Sequence, residues 1–425
     1  MNLKRSFVLF VSLLFLNLLS AEGKILTIED AVRLAKENNI SVKKAENDLD
    51  SLAVQNKYSW NSVSPAAKLN GNFEDDIEND STAFSLSGAV NLSLKTNLYS
   101  EIKGAKLNYE KGLLTYSEAV RQIELSVRKK FYNLIYQKEN LVLQNRSLET
   151  SRAQYLNNEE KFKNGKISEL DAFTSRVNYE SKKPVVESAE INFQNDLASF
   201  KQLLGIPQET EIALDGSLDD FLNLKEISFG LLPKVDEPAP DVKSAEYDVE
   251  IAKNSLLNLR FSAYAPVITG SYSYGKSKKS MQDDWMTTNQ LSVGVSVPLD
   301  GILPWSSSAV KIKEQKNALD TAEKVLEDAK TTVAVQTESY IRKINQAVKQ
   351  LDSLKSTEKL AEQTYKMTLA AYNYGKTDFL SLQNANDSVL SAGVNLKSQA
   401  YTLISTILDL ESVLGLEFGT LETKK

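Results

Sequence analysis

The 425-residue chain contains no cysteine and no histidine. Without cysteine there is no disulfide framework, no thiolate nucleophile, no thiolate-ligated metal and no residue for lipoprotein anchoring. Without histidine the commonest general base and metal ligand is gone. Carboxylates, lysines and serines remain, but no carboxylate pair or Ser/Lys motif stands out from the charged helix surfaces. The chain therefore does not read as an enzyme, and no cofactor or metal is expected. Neither charge dominates: 50 basic residues against 56 acidic ones give a net charge of −6. That mildly acidic balance argues against nucleic acid as a partner. Long hydrophobic runs are also scarce. Lys4 and Arg5 precede one apolar run, Phe7 to Leu19, which ends at Ser20-Ala21-Glu22-Gly23. This is the pattern of a secretory signal peptide, residues 1–23, and the run is too short for a transmembrane helix. No other stretch reaches 18 consecutive apolar residues, so a membrane span of the exported chain has to be built of strands.

Glycine and proline are missing where they would do most damage to helices. Neither occurs from Leu113 to Asn164 or from Ser306 to Tyr374. At 1.5 Å per residue, helices of roughly 60–70 residues reach roughly 90–105 Å, too long for a compact domain. Apolar residues recur along both with a period of seven. The first row is Leu113, Val120, Val127, Leu134, Leu141, Leu148, Tyr155 and Phe162. The second is Ile312, Leu319, Leu326, Val333, Tyr340, Ala347, Leu354 and Ala361. A seven-residue period predicts supercoiled helices. The seam is thin, because companion positions include Lys130, Gln137, Gln144 and Ser151. A packed core needs a broader stripe; a thin one suits helices that meet neighbours at their edges around a hollow.

The chain is also written twice. Phe162-Lys163-Asn164-Gly165-Lys166 recurs as Tyr372-Asn373-Tyr374-Gly375-Lys376, 210 residues on, and Leu204-Gly205 recurs as Leu414-Gly415 at the same interval. Each copy predicts a helix, two alternating strands, a long helix, a glycine turn and a return helix. The expected division is residues 24–212 for the first repeat, 213–240 for a linker packed on the outside of the helices, 241–416 for the second repeat and 417–425 for a tail. Thr27 with Asp30 forms a capping-box pattern opening a helix to about Trp60. Pro65 and Pro266 stop helices before the strands. In the first copy Ala67, Leu69 and Phe73, then Leu86, Val90, Leu92 and Leu94, alternate with polar residues. In the second, Ile268, Tyr272 and Tyr274, then Leu291, Val293, Val295, Val297 and Leu299, do the same. Strands of about 9–11 residues have the length to cross a bilayer tilted. An acidic loop (74–80) and a polar loop (276–289) join them. Phe73, Tyr272, Tyr274 and Trp285 could form an aromatic belt at the bilayer rim, though packing would also account for any one of them. Pro184 is expected to kink or break the first return helix, where the second copy has Val394.

Four strands cannot close a membrane barrel, and an open edge in lipid leaves backbone groups unpaired at several kcal/mol each. A duplicated chain would pool strands in a closed cyclic assembly; a trimer gives twelve. Here the chain resembles the TolC-like outer-membrane efflux protein family. The resemblance is carried by Ala371-Tyr372-Asn373-Tyr374-Gly375-Lys376-Thr377-Asp378-Phe379-Leu380-Ser381-Leu382-Gln383-Asn384-Ala385, by its partner from Phe162 through Gly165 to Leu170-Asp171-Ala172, by the prolines at the helix-to-strand junctions and by the paired Leu-Gly ends. It implies a mainly α fold with a transmembrane β part: long helical hairpins plus four strands per chain, combined in a homotrimer as a twelve-stranded barrel. It also implies a passive channel in the outer membrane with a periplasmic helical extension, serving tripartite efflux or type I secretion through a periplasmic adaptor protein and an inner-membrane pump.

By the same resemblance, Gly165 and Gly375 turn the hairpin tips at the periplasmic gate; as glycines they also serve simply as positive-φ turns. Asp171 and Tyr372 match two gate positions. The family's basic gate residue falls on Thr377, which cannot form a salt bridge, and its two ring carboxylates fall on Ser381 and Asn384. Asp378 and Asp387 are candidate substitutes, with solvated helix-surface charge as the plain alternative for all three acids. A rival reading is a cell-surface or periplasmic coiled-coil adhesion protein, which would not need alternating strands in both copies. The adaptor itself would show one hairpin flanked by β-rich domains.

Overall fold

A computed structural model describes residues 24–76, 81–222, 224, 238–278 and 283–421; the signal-peptide reading and the tip of the acidic loop lie outside them. The elements in order are β1 (Lys24–Leu26), α1 (Ile28–Asn38), α2 (Ile40–Lys57), β2 (Ala66–Asp76), β3 (Ser81–Lys95), α3 (Leu98–Lys163), α4 (Glu169–Leu204), β4 (Ile212–Leu214), α5 (Pro240–Tyr264), β5 (Val267–Lys278), β6 (Met286–Ser296), α6 (Ser307–Asn373) and α7 (Phe379–Leu414). The chain is mainly helical, with four long strands. The duplication is plain: α1/α2 corresponds to α5, β2–β3 to β5–β6, α3 to α6 and α4 to α7.

Several boundaries differ from the sequence reading. Thr27 does cap α1, its hydroxyl oxygen accepting the Asp30 N–H at 3.2 Å. The first helix is nevertheless two, because Asn39 adopts an extended conformation (ψ 132°). Its side chain replaces what the helix loses: Nδ2 donates to Leu203 O at 2.8 Å and Oδ1 accepts from Ser41 N–H at 2.8 Å. The strands run longer than expected, 11 to 15 residues, because Glu74–Asp76 and Lys276–Lys278 continue the ladder rather than start loops. Pro184 does not break α4, which is continuous from Glu169 to Leu204. The residue is exposed, so a carbonyl freed one turn earlier can turn to water.

The described residues fall into two compact units, and each draws on both copies. The first holds residues up to Lys43, Ala119–Glu237 and the chain from Ala334 on. Its apolar core gathers Ala31 and Ala35 of α1, Val127, Phe131 and Leu134 of α3, Phe200 and Leu204 of α4, Ile341, Ile344 and Leu351 of α6, and Leu403, Ile404 and Leu408 of α7. β1 and β4 pair in parallel beside it. Leu218 and Phe221, in a short 3₁₀ turn of the 213–240 segment, are buried in the same core, the Phe221 ring meeting Tyr132 edge-on at 5.2 Å. The heptad row placed Val127, Leu134 and Ala347 inside, but its outer members Leu113 and Phe162 are about 40% exposed.

The second unit holds Lys44–Glu118 and Pro238–Val333. It contains one antiparallel sheet in the order β2-β3-β5-β6, so the hairpins of the two copies join through β3 and β5. Where the helices leave this sheet, α3 meets α5 through buried amides. Asn97 Nδ2 donates to Asn258 Oδ1 at 2.9 Å, and Asn254 Nδ2 donates to Ser100 O at 2.8 Å.

Candidate functional site

Two features bear on function: the hairpin tips and the four-stranded sheet. The tips are built alike. Helix α3 ends in a left-handed glycine, Gly165 (φ 67°), with Lys166 N–H returning to Lys161 O at 2.8 Å. Helix α6 ends at Gly375 (φ 71°), with Lys376 N–H returning to Ala371 O at 2.9 Å. These are Schellman closures, which a residue with a Cβ adopts only under strain. Each return helix is then capped from the turn. Ser168 Oγ accepts the Asp171 N–H at 3.1 Å, and Asp378 Oδ1 accepts the Ser381 N–H at 2.7 Å. The copies thus keep the cap and exchange its chemistry, hydroxyl-then-carboxylate in one and carboxylate-then-hydroxyl in the other. Asp378 is accordingly a helix cap whose carboxyl the Ser381 hydroxyl and N–H hold below its usual range.

Polar contacts tie one tip to the other. The Tyr372 hydroxyl donates to Asn158 Oδ1 at 2.6 Å, and the Lys161 ammonium lies 4.6 Å from the Tyr372 ring centroid. Burial raises the Tyr372 hydroxyl pKa, the Asn158 bond opposes this, and the charge of Asp171 raises it further. The structure therefore brings Asp171 and Tyr372 within each other's field. Asp171 Oδ2 also accepts from the Ser168 hydroxyl at 2.8 Å. Asp387 is held by Lys182, whose Nζ lies 2.7 Å from its Oδ1 and donates at 2.8 Å to Ser147 Oγ. That bridge joins α4 of the first copy to α7 of the second. Thr377 is half-buried in its turn and Asn384 is exposed on α7; with Ser381 they bring no charge to the tips.

Asn158, Lys182 and Ser147 are the residues that sequence reasoning missed. One clue existed. The polar companion row Lys130, Gln137, Gln144, Ser151 continues at the same period to Asn158. In the structure the buried seam of α3 changes character along its length. It is Val127, Phe131 and Leu134 in the core and Ser147, Ser151, Gln154 and Asn158 toward the tip. Gln154 Oε1 and Asn158 Nδ2 are buried there without a protein partner. A seam of this kind is held by polar contacts, each worth about 0.5–1.5 kcal/mol net, rather than by apolar burial.

The sheet separates its two faces cleanly. Register puts Ala67, Leu69 and Phe73 of β2 on one side with Phe84, Leu86, Val90, Leu92 and Leu94 of β3. Ile268, Tyr272 and Tyr274 of β5, with Leu291, Val293 and Val295 of β6, continue that side. The opposite side carries Asn70, Asn72, Ser85, Ser87, Asn91, Ser271, Ser273, Gln290 and Ser292. The apolar residues are not a hidden core: Leu69, Leu291 and Val293 are 75–78% exposed. Ten residue steps from Leu94 to Phe84 at about 3.4 Å each, tilted by about 40°, give a band of about 26 Å, matching the apolar band of a membrane barrel. Among the described residues β2 and β6 each keep one edge unpaired. Tyr272 and Tyr274 prove to be mid-band residues, since they stand opposite Val90 and Gly88. The aromatics at the loop end are Phe73, Phe84 and Trp285, the last two packed edge-on at 5.9 Å. Near the helix end, exposed Trp60 and Trp305 form a second set that the alternation pattern did not reveal. No described helix is long and apolar enough to cross a membrane, and no group of metal-ligating side chains occurs among the described residues.

Comparison with known proteins agrees with this geometry. Residues 231–416 match the sequence model of the family Outer membrane efflux protein. The outer membrane protein TolC of Vibrio cholerae serotype O1 is 19% identical over 306 residues, 71% of this chain and 69% of that protein. Among solved structures, the CmeC outer membrane channel of Campylobacter jejuni superposes with a TM-score of 0.77 at 18% identity, covering 91% of this chain and 85% of that one. The open state of the MtrE outer membrane channel of Neisseria gonorrhoeae gives 0.67 at 17% identity, covering 92% and 89%.

Proposed function

We propose that this chain, whose residues 231–416 match the outer membrane efflux protein family, is a member of that family and the outer-membrane channel of a tripartite efflux or type I secretion system. The observation that carries the reading is the sheet: four strands, one exposed apolar face of membrane height, one polar face and two open edges. An open edge is untenable in lipid. Three chains placing β6 of one beside β2 of the next close twelve strands with no edge left and the polar face lining a lumen. The helical hairpins then continue the conduit into the periplasm, where an adaptor protein and an inner-membrane pump engage it. The protein contributes a passive path; the pump supplies the energy.

The tips form the gate in this reading. Tyr372 with Asn158 and Asp387 with Lys182 hold the hairpins of one chain together, and Asp171 acts on Tyr372. Thr377, Ser381 and Asn384 leave the entrance without the family's salt bridge and carboxylate ring, so the closing network is weaker and cation selectivity is low. The decisive measurement is fractionation. The full chain should run in the outer membrane as a trimer that dissociates only on heating, and should conduct poorly in planar bilayers. A soluble monomer would remove the channel reading and favour a coiled-coil adhesion protein. Asp171→Ala removes the charge that reaches Tyr372 and should raise single-channel conductance. An unchanged record removes Asp171 from the gate.

A further inference from the structure

The apolar face of the sheet carries two cations that its alternation does not predict. Lys276 pairs in register with Leu86 and Thr287, and Lys278 with Phe84, so both side chains share the face of Tyr272, Tyr274 and Leu291. They occupy the last two levels of β5 on that face, at the end of the sheet away from the helices, with Asp75 and Thr82 one level beyond on β2 and β3. Lys278 Nζ lies 5.5 Å from the centroid of the Trp285 ring, and Trp285 packs against Phe84. Among the described residues neither lysine is in an ion pair. Of the described carboxylates near this end, Asp75 is on the same face, one level beyond Phe73 and two strands away, and Asp283 and Asp284 precede Trp285 outside the strands.

We propose that Lys276, Lys278 and Trp285 form a site for the phosphate of an outer-leaflet lipid on the outer face of the barrel. The inference rests on the channel reading, which directs the helices inward and so places this end of the sheet in the outer leaflet. The chemistry favours that occupant over water or protein. The two ammonium groups end a continuous apolar band, which seats acyl chains. Their stems run along that band while their heads reach the headgroup layer. An indole at the same height prefers the interface. An anionic headgroup satisfies two charges that no described carboxylate pairs with. Cations at a membrane surface each attract anionic lipid by about fivefold, so the pair gives about 30-fold.

The test uses the full-length trimer in detergent, incubated with bis-phosphorylated lipid A or with the same lipid stripped of its phosphates. Retained lipid is counted by native mass spectrometry, and the same preparations are inserted in planar bilayers. The wild type should retain the phosphorylated lipid about 30-fold better than the stripped one. Lys276→Gln with Lys278→Gln should abolish that preference while conductance stays normal. Lys68→Gln with Lys95→Gln, on the opposite face, should leave it intact. A double variant that conducts and still prefers the phosphorylated lipid overturns the site and leaves the channel reading standing. Wild-type protein that does not insert overturns both.

Discussion

At the scale of single residues, the duplication shows what is structural and what has been freed to change. Ser168 and Asp378 both cap return helices, so neither tip can lose its capping oxygen, yet the identity of that oxygen has been exchanged with the residue three positions on. The matching ends of the return helices differ more. Lys201 donates to Gln208 O at 2.8 Å. Its counterpart Glu411 is fully buried and accepts the N–H groups of Gly419 and Leu421 at 3.0 and 2.7 Å, fastening the tail beside Phe418, Arg121 and Arg128. Burial pushes the Glu411 carboxyl up, against the pull of those N–H groups and of the two arginines. A folded-state pKa above the unfolded value means that protonation favours the folded form. The gain is complete below the ordinary carboxylate pKa and is lost as pH rises through the raised value. Wild type should therefore gain melting temperature relative to Glu411→Gln as pH falls from about 8 to about 5. A difference that stays constant over that range refutes the assignment. Glu411→Ala, which leaves two part-buried N–H groups without their acceptor, should cost about 1–3 kcal/mol in chemical denaturation.

At the scale of elements, four helix ends close in the same way, at Gly165, Gly205, Gly375 and Gly415, with φ between 67° and 72°. Their surroundings are not alike. A Cβ on Gly165 or Gly375 would meet nothing within 4 Å, whereas one on Gly205 would lie 2.8 Å from the Asn38 carbonyl oxygen. Gly165→Ala should cost only the left-handed backbone penalty, about 1–2 kcal/mol. Gly205→Ala should cost clearly more, because Asn38 and Asn39 end α1 against α4 and have no room to yield. Thermal unfolding of the two variants side by side checks this, and equal losses would show that the junction relaxes freely. The long helices follow the same division. α3 is pinned by Phe131 and its apolar neighbours in the first unit's core, and toward the tip its buried positions are Ser147, Ser151, Gln154 and Asn158, with Tyr155 stacked on Tyr179. Polar contacts of that kind can be exchanged for water, so in the channel reading the tip is the end of the helix that opens.

At the scale of the whole molecule, the channel reading makes the single chain one third of a barrel. Its sheet leaves an exposed apolar face and two free edges, and both are hazards for a protein left alone in water. The channel reading turns this into an insertion test with opposite outcomes on adjacent residues. Leu291 stands mid-band on the apolar face and Gln290 on the polar face. Leu291→Arg should destabilise the inserted barrel by about 2–4 kcal/mol and reduce the heat-modifiable trimer in the outer-membrane fraction. Gln290→Arg should leave assembly intact. If both variants assemble equally, the apolar face does not meet lipid.

The sequence by itself determined the elements and their purpose. Long stretches without glycine or proline had to be helix, strict alternation had to be two-faced strand, and the 210-residue repeat of Gly165 at Gly375 fixed two hairpins. Local rules suffice there, because period, caps and turn glycines are properties of neighbouring residues. The family motif at 371–385 was legible for the same reason, as a contiguous run. Tertiary structure decided everything that depended on which residues meet across copies. Lys182 finds Asp387 at a separation of 205 residues, and Tyr372 finds Asn158 at 214. Strand register lifted Lys276 and Lys278 to one end of the apolar face and left Tyr272 in its middle. Pro184 read as a kink or a break, and it does not break the helix, because packing along the rest of α4 outweighs one missing backbone bond at an exposed position. Long-range pairing is set by the geometry of several elements at once, and no local pattern in the chain encodes it.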